Sequence, residues 1–386
     1  SVIYDERGEN RQFGPDEAAR HDLLVYSPGF AQSHPWILAA RRAGLHCLTE
    51  LDFGALLWTG PAIAITGTNG KTTITEFLSF AFKRSGLDAI ACGNVGLPLT
   101  SLHRTVSNGS FVAIVEVSSF QAEDLRHFTP EAVLWTNFDE DHLDRHGDRE
   151  SYFRAKFRLI ERMMPGGILV VGESVVAAAR EFGIELPAEA FVATRTEVAD
   201  TVPAGSVFDS WPQRENWAIL CKYWQARGIP LRHLEESARL FRVPPHRLRK
   251  VAENKGVEFW NDSKGTNFHA VQAALSEFSI PVRWIGGGKW KGGDLARFVR
   301  NIAPLIDTAY LIGETAEELK RHFDELGKVA RCYPSLQDAV VAAAKDAHGP
   351  VAILLSPGFS SFDQFRGYAE RGLVFERAAS ALAKAV

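Results

Sequence analysis

Residues 62–73 constrain this chain more than any other stretch. An apolar run from Ala62 to Ile65 stops at Gly67, and a helical pattern over 75–84 follows Lys71. Strand, glycine turn, lysine, hydroxyl and helix in that order form the layout of a phosphate cradle. Glycines let backbone N–H groups approach phosphate oxygens, and a helix N-terminus adds partial positive charge. Lys71 is placed to reach the outer phosphates, and Thr72 to offer a hydroxyl to Mg²⁺. The loop is short: G-x-x-x-x-G-K-[ST] requires a glycine at 65, where this chain has Ile65. The working loop is Gly67-Thr68-Asn69-Gly70-Lys71-Thr72-Thr73. An ordinary glycine-rich strand–helix turn is the bland alternative.

Apolar runs at 23–26, 62–66, 112–117, 133–136, 168–171, 282–285, 308–312 and 351–356 alternate with helical patterns at 75–84, 149–164, 268–278 and 336–347. That alternation predicts an α/β architecture with mainly parallel sheets. The length of 386 residues predicts two or three domains. The expected units are 1–58, 59–243 and 244–386, with Pro244-Pro245 marking the second break. The first unit opens on a strand at 2–5 with no G-x-G-x-x-G before it. It reads as a mononucleotide-binding fold that is either shortened or missing its first βα element.

Net charge is −4 and no long basic run is present, which weighs against nucleic acid as a partner. No apolar stretch approaches the roughly 20 residues needed to span a bilayer. The N-terminus lacks the features of a signal peptide. Cys47, Cys92, Cys221 and Cys332 have no metal or redox spacing. A reduced, cytoplasmic protein is expected, without membrane insertion.

Other motifs follow the strand-like runs, where ligands bind in parallel α/β sheets. Glu116 follows the strand-like residues 112–115 and could share a metal with Thr72, or serve as a capping or solvated glutamate. Asp139-Glu-Asp-His-Leu-Asp144 packs acidic groups around His142, a candidate metal or substrate contact. Asn261-Asp-Ser-Lys-Gly-Thr-Asn267 offers Asp262 to a ribose, with Lys264 and Thr266 aimed at the same cleft; an Asx-rich turn with Asn267 as helix cap is the alternative. Gly286-Gly-Gly-Lys289 allows close backbone approach to an anion, with Lys289 as counter-charge. Ser356-Pro-Gly-Phe-Ser-Ser-Phe-Asp363 could bind a carboxylate, or Ser361 could cap a helix starting at Asp363. Lys156, in Tyr152-Phe-Arg-Ala-Lys156, reads as an ordinary surface lysine.

Taken in order, these motifs resemble the Mur ligase family of ATP-dependent amide-forming enzymes. The segments that carry the resemblance are the contracted phosphate loop, Ser27-Pro28-Gly29, Gly93-Asn-Val-Gly-Leu-Pro98, Glu116-Val-Ser-Ser-Phe-Gln121, Glu140-Asp-His-Leu-Asp144, Pro245-His-Arg247, 261–267, and 355–357 with 361–365. The resemblance implies a three-domain fold with a central phosphate-loop ATPase domain and a truncated N-terminal Rossmann-like domain. It implies ligation of D-glutamate to UDP-N-acetylmuramoyl-L-alanine through an acyl phosphate, in peptidoglycan precursor synthesis, by a monomer whose second and third units close over ATP. It places Gly67 to Thr73, Asn216, Arg247 and Asp262 on ATP. Thr72, Glu116, His142 and Lys156 fall on Mg²⁺, at two sites, with Lys156 as a carbamate. Ser27, Pro28, Gly29, Asn94, Ser118, Thr266, Lys289, Ser361, Phe362 and Tyr368 fall on the substrates. Lys71, His142, Lys156, Lys264 and Lys289 would be the catalytic set. Two departures stand out. The N-terminal glycine-rich turn for the UDP diphosphate is absent, and the segment G-x-H-N-x-x-N reads Pro212-Gln-Arg-Glu-Asn216, keeping only Asn216. A related ligase with another amino acid or a folate acceptor is the near alternative, and a non-catalytic nucleotide-binding paralogue the distant one.

Overall fold

The computed structural model describes residues 13–94, 97–105, 111–194, 196, 201–209, 213–242, 245–275, 277–347 and 349–384. The expected strand at 2–5, Gly96, Trp211, Pro212 and Pro244 lie outside the described residues. The chain forms two compact units. One contains the residues up to Phe138 with Glu150–Thr201 and Asn216–Ala238; the other contains Asp139–Arg149, Val202–Glu215 and the residues from Arg239 onward.

In the first unit, β1 (Leu23–Tyr26) and β2 (His46–Thr49) form a parallel pair with Tyr26 opposite Thr49. The remaining strands are β3 (Ala62–Thr66), β4 (Ala89–Gly93), β5 (Val112–Glu116), β6 (Ala132–Trp135), β7 (Ile168–Gly172) and β8 (Phe191–Ala193). They make one sheet in the order β4-β5-β3-β6-β7-β8, parallel throughout. Every residue of β3, β5 and β6 is buried. Burial on both faces explains why these strands read as continuous apolar runs. The strand order reverses beside β3, so the ends of β5, β3 and β6 surround the crevice where such sheets bind ligands.

The second unit holds β9 (Arg249–Asn254), β10 (Val257–Asn261), β11 (Val282–Gly286), β12 (Thr308–Leu311), β13 (Ala330–Cys332) and β14 (Val351–Leu355). Their order is β13-β12-β11-β14-β10-β9, parallel except for β9, which runs antiparallel to β10. The α/β class with parallel and mixed sheets matches the sequence expectation. Here the ends of β10, β14 and β11 are neighbours, and each is followed by one of the polar motifs.

Several helix limits differ from expectation. The helix expected at 75–84 is Lys71–Arg84, beginning inside the phosphate loop. Its first turns carry Thr72-Thr73-Ile74-Thr75, a wholly β-branched run of low helix propensity, and their burial overrides that preference. The helix expected at 149–164 ends at Glu161, ahead of Pro165-Gly166-Gly167. Those at 268–278 and 336–347 are Phe268–Leu275 and Leu336–Lys345. No helix starts at Asp363; residues 361–367 form turns, and the helix begins at Tyr368. Among the described residues no helix is long and apolar enough to cross a membrane. The cysteines are free thiols, and burial pushes Cys92 and Cys221 up to about 12. Thiols held that high are not nucleophiles.

Candidate active site

In the first unit the phosphate loop leaves β3 at Gly67, with φ +144, and enters the helix through Gly70, with φ +81. A Cβ on Gly67 would lie 1.9 Å from Thr136 Oγ1, and one on Gly70 would lie 2.2 Å from Asn216 Oδ1. Both positions therefore exclude larger residues on space as well as on dihedral angle. Gly70 is the N-cap of the helix, so the helix N-terminus, with its partial positive charge, opens at the loop. Asn216, buried on the helix Gln213–Ala226, is thus seated against the loop. Lys71 Nζ donates to Gly67 O at 2.9 Å and to Thr68 O at 2.8 Å, drawing the loop around its own ammonium. Thr72 and Thr73 are buried on the first turn.

Glu116 ends β5 in register with Ile65 of β3, beside the loop. Its carboxylate is 3% exposed, and Oε1 accepts from Asn94 Nδ2 at 2.9 Å. Asn94 N also donates to Glu116 O at 2.9 Å, so these two expected ligand-binding residues form one unit. Ser118 serves locally: its Oγ accepts from Gln121 N at 3.2 Å, and its N–H donates to Gln121 Oε1 at 3.0 Å, a capping box.

Lys156 is not a surface lysine. It is 1% exposed, and its Nζ donates to Gly67 O at 3.0 Å while lying 4.7 Å from the centroid of the Tyr152 ring. The helix Arg149–Glu161 buries Tyr152, Phe153, Lys156, Leu159 and Ile160 together. That i, i+4 spacing with Tyr152 was the signal the sequence offered. Two ammonium groups, Lys71 and Lys156, therefore share the single carbonyl of Gly67.

Ser27-Pro28-Gly29 follows β1 as a tight turn, closed by Phe30 N to Ser27 O at 3.0 Å. Beside it, Tyr26 Oη donates to Asp124 Oδ2 at 2.5 Å and Arg41 Nη2 to the same oxygen at 3.1 Å. Burial and the Asp124 carboxylate push the Tyr26 hydroxyl well above its ordinary range.

In the second unit, His142 has φ 53 and its Nε2 is 3.6 Å from Asp141 Oδ2. Asp141 in turn accepts from Lys291 Nζ at 2.8 Å and from Asn267 Nδ2 at 3.2 Å. The acidic run at 139–144 does not converge as expected: Glu140 faces Arg149 and Arg297, and the Asp144 side chain lies outside the description. Among the described residues no three His, Cys, Asp or Glu side chains gather around a common point. A magnesium ion held by one or two carboxylates plus phosphate needs no such cluster.

Asp262, after β10, is buried. Its Oδ1 accepts from Leu248 N at 3.1 Å and its Oδ2 from Ser356 Oγ at 2.7 Å. Burial pushes its carboxyl up to about 6, against the opposing pull of those bonds and of the Arg247 and Arg371 charges. Asn267 caps the next helix by accepting from Ala270 N at 2.9 Å. Lys264 Nζ lies 5.2 Å from the centroid of the Tyr368 ring. Thr266 lines a small cavity with Glu140, Asp141 and Lys291. Lys289 and Ser360 form an antiparallel bridge, with N–H to O distances of 2.9 and 3.2 Å, so the glycine-rich loop is tied to the segment carrying Ser361. Ser361 is buried, and Phe362 is 70% exposed.

Sequence reading missed Arg371. It is 1% exposed, and its guanidinium donates to Ser263 Oγ at 3.1 Å, Ser263 O at 2.9 Å and Phe359 O at 3.2 Å. It clamps the turn carrying Asp262 and Lys264 to the loop leading to Ser361. Burial lowers its guanidinium to about 10. An arginine in an amphipathic helix ordinarily faces solvent, so nothing in the pattern marked it.

Known proteins settle the family. Residues 65–189 match the Mur ligase middle domain, and residues 246–359 match the Mur ligase, glutamate ligase domain. The chain belongs to the Mur ligase family. The UDP-N-acetylmuramoylalanine--D-glutamate ligase of Protochlamydia amoebophila is 32% identical over 370 residues, 92% of this chain and 83% of that one. The ligase of the same name from Nitrobacter winogradskyi is 35% identical over 398 residues, 93% of this chain and 84% of that one. Among solved structures, the MurF ligase of Thermotoga maritima in complex with ADP aligns over 94% of this Mur ligase and 97% of that chain, with TM-score 0.63 and 16% identity. MurF from Acinetobacter baumannii aligns over 92% of each chain, with TM-score 0.64 and 13% identity. At such identities the structural likeness speaks for the fold alone.

Proposed function

We propose that this Mur ligase joins D-glutamate to UDP-N-acetylmuramoyl-L-alanine at the expense of ATP, in peptidoglycan precursor synthesis. The observation that carries the reading is the similarity to D-glutamate ligases at 32% and 35% identity over more than nine-tenths of the chain. A carboxylate is a poor electrophile, so it must be activated before an amine can attack. The alanine carboxylate oxygen attacks the γ-phosphorus of ATP, and the bond to ADP breaks. The D-glutamate nitrogen then attacks the acyl carbon, giving a tetrahedral intermediate. Phosphate leaves with the electron pair of the C–O bond, and the nitrogen releases its proton.

The residues divide this work. Residues 67–73 and Asn216 bind the ATP phosphates and its surroundings, and Lys71 opposes charge on the transferred group. Arg247 and Asp262 hold the rest of the nucleotide. Lys264, Thr266, Lys289, Ser361, Phe362 and Tyr368 receive the amino acid. Ser27, Pro28, Gly29, Asn94, Ser118 and His142 face the uridine-nucleotide substrate. The oxygen donors Thr72 and Glu116, buried beside the loop, suit Mg²⁺, with His142 and a carbamate on Lys156 at a second site. The metal would supply positive charge to the phosphoryl oxygens. Two ammonium groups on one carbonyl repel each other. If the Lys156 ammonium gives up one proton, adds to CO₂ through the freed lone pair and loses a second proton, an anion replaces one of those cations.

The proposal includes domains at 1–58, 59–243 and 244–386, a monomer and a cytoplasmic location. Phosphate release from Mg·ATP and UDP-N-acetylmuramoyl-L-alanine across a panel of amino acids tests it. D-glutamate should be the preferred partner, and Lys71→Ala should abolish turnover. Faster release with L-lysine, diaminopimelate or L-alanine would overturn the substrate assignment. ATP binding without turnover would favour a binding protein.

A further inference from the structure

We infer that Asn137 is a positioning residue for the phosphate loop, its side-chain amide standing in for a neighbouring strand at Asn69. The inference rests on the nucleotide reading above and deepens it. Pairing between β3 and β6 stops at Thr66 opposite Trp135. Beyond that point the loop has left the sheet, and the N–H and C=O of residue 69 need other partners.

Asn137 supplies both. Its Oδ1 accepts from Asn69 N at 2.8 Å, and its Nδ2 donates to Asn69 O at 3.3 Å. A carboxamide carries an acceptor and donors on one planar group, so it can pair with a peptide as another peptide would. The contact is reinforced on either side. Thr136 Oγ1 donates to Asn69 O at 2.5 Å, and Thr68 N donates to Asn137 O at 3.0 Å. Thr136 also lies against Gly67, its Oγ1 1.9 Å from where a Cβ on that glycine would stand.

Pre-aimed backbone donors stabilise an anion because they need no reorganisation when it arrives. Asn137 touches neither nucleotide nor metal in this scheme. It acts on the loop that does. The chemistry is selective for Asn. Aspartate would keep the acceptor for Asn69 N but set a second acceptor against Asn69 O, and would add negative charge beside a cradle for negative phosphates.

The test measures Mg·ADP affinity by calorimetry and steady-state kinetics on the full chain. Asn137→Ala should weaken Mg·ADP and raise KM for ATP by about tenfold, as expected for two lost hydrogen bonds. KM for D-glutamate should stay within about twofold, a split that a general loss of structure would not give. Asn137→Asp should be weaker still despite retaining one acceptor. In the unaltered, nucleotide-free chain, the Asn69 amide should be protected from hydrogen exchange; this readout does not depend on any variant folding. Asn137→Ala binding Mg·ADP as tightly as the parent, Asn137→Asp outperforming it, or fast exchange at Asn69 would overturn the inference. A parent chain that does not bind Mg·ADP, or a Lys71→Ala variant that binds it equally well, would instead refute the nucleotide reading itself.

Discussion

Asp262 provides the sharpest test of how this fold trades stability for chemistry. Its carboxyl is raised from the ordinary 3.8 to about 6, with burial as the leading cause. Between those two values the folded chain keeps a proton that the unfolded chain has released. The unfolded state therefore binds fewer protons there, and stability falls as pH rises from about 4 to about 6. The difference corresponds to about 3 kcal/mol at about 1.4 kcal/mol per pH unit, lost in full above pH 6. Asp262→Asn removes that cost. The amide oxygen still accepts from Leu248 N, and the amide nitrogen can donate to Ser356 Oγ, reversing the bond seen with aspartate. The variant should be more stable than the parent at pH 7.5 by up to about 3 kcal/mol, and the gap should close below pH 4. Turnover should be lost if Asp262 binds ATP. Paired denaturation midpoints from pH 4 to 8 read this directly, because unfolding steps elsewhere in the chain are common to both proteins. A gap that does not change with pH, or one that moves in the parent's favour as pH rises, refutes the reasoning.

Two further substitutions probe the scaffold. The buried Asp52 carboxylate accepts from the N–H groups of Arg126, His127 and Phe128. Asp52→Ala orphans all of them and should cost about 3 kcal/mol or more, seen as a large fall in thermal midpoint, while turnover measured well below that midpoint stays near the parent value; an unchanged midpoint would contradict the role given to this carboxylate. Gly372→Ala lies inside the helix Tyr368–Lys384, where alanine ordinarily stabilises by about 1 kcal/mol. Here the new Cβ would stand 2.3 Å from His246 Nδ1, so the sign should invert, and a raised melting temperature would show that His246 yields.

Much of the fold was legible because the parallel strands are buried on both faces. Runs such as Ile63-Ala64-Ile65 and Val112-Ala113-Ile114-Val115 have no polar side to confuse the pattern, and the glycines at 67 and 70 mark the turn by the positive φ they adopt. What remained hidden was polar and non-local. In the sequence Thr136 only closes the apolar run at 133–136 and Asn137 follows it; the hydrogen bonds of Asn137 to residue 69 span 68 positions. Lys156 and Arg371 are charged residues on helices, where exposure is the ordinary expectation, and only the folded chain shows both below 2% exposure. The start of the last helix was misplaced because Ser361-Phe-Asp-Gln carries the chemistry of a helix cap, yet the chain makes turns until Tyr368.

Three buried residues share a physical character. Lys156, Asp262 and Arg371 are all ionisable and buried, and each bonds to main-chain or hydroxyl groups: Lys156 and Arg371 donate to main-chain carbonyls, and Asp262 accepts from a main-chain N–H and a hydroxyl. Charge buried in this way is costly relative to an apolar side chain of similar size. A core built for stability alone would not retain it. All these contacts involve segments that follow strand ends, at Gly67 after β3, at Asp262 and Ser263 after β10, and at Phe359 after β14. Those are the places where an α/β sheet presents backbone to a ligand. These three side chains therefore lie at strand ends, where each sheet can present backbone to a ligand. Replacing Lys156 or Arg371 with an apolar residue of similar length should accordingly cost more activity than stability, the reverse of the pattern at Asp52.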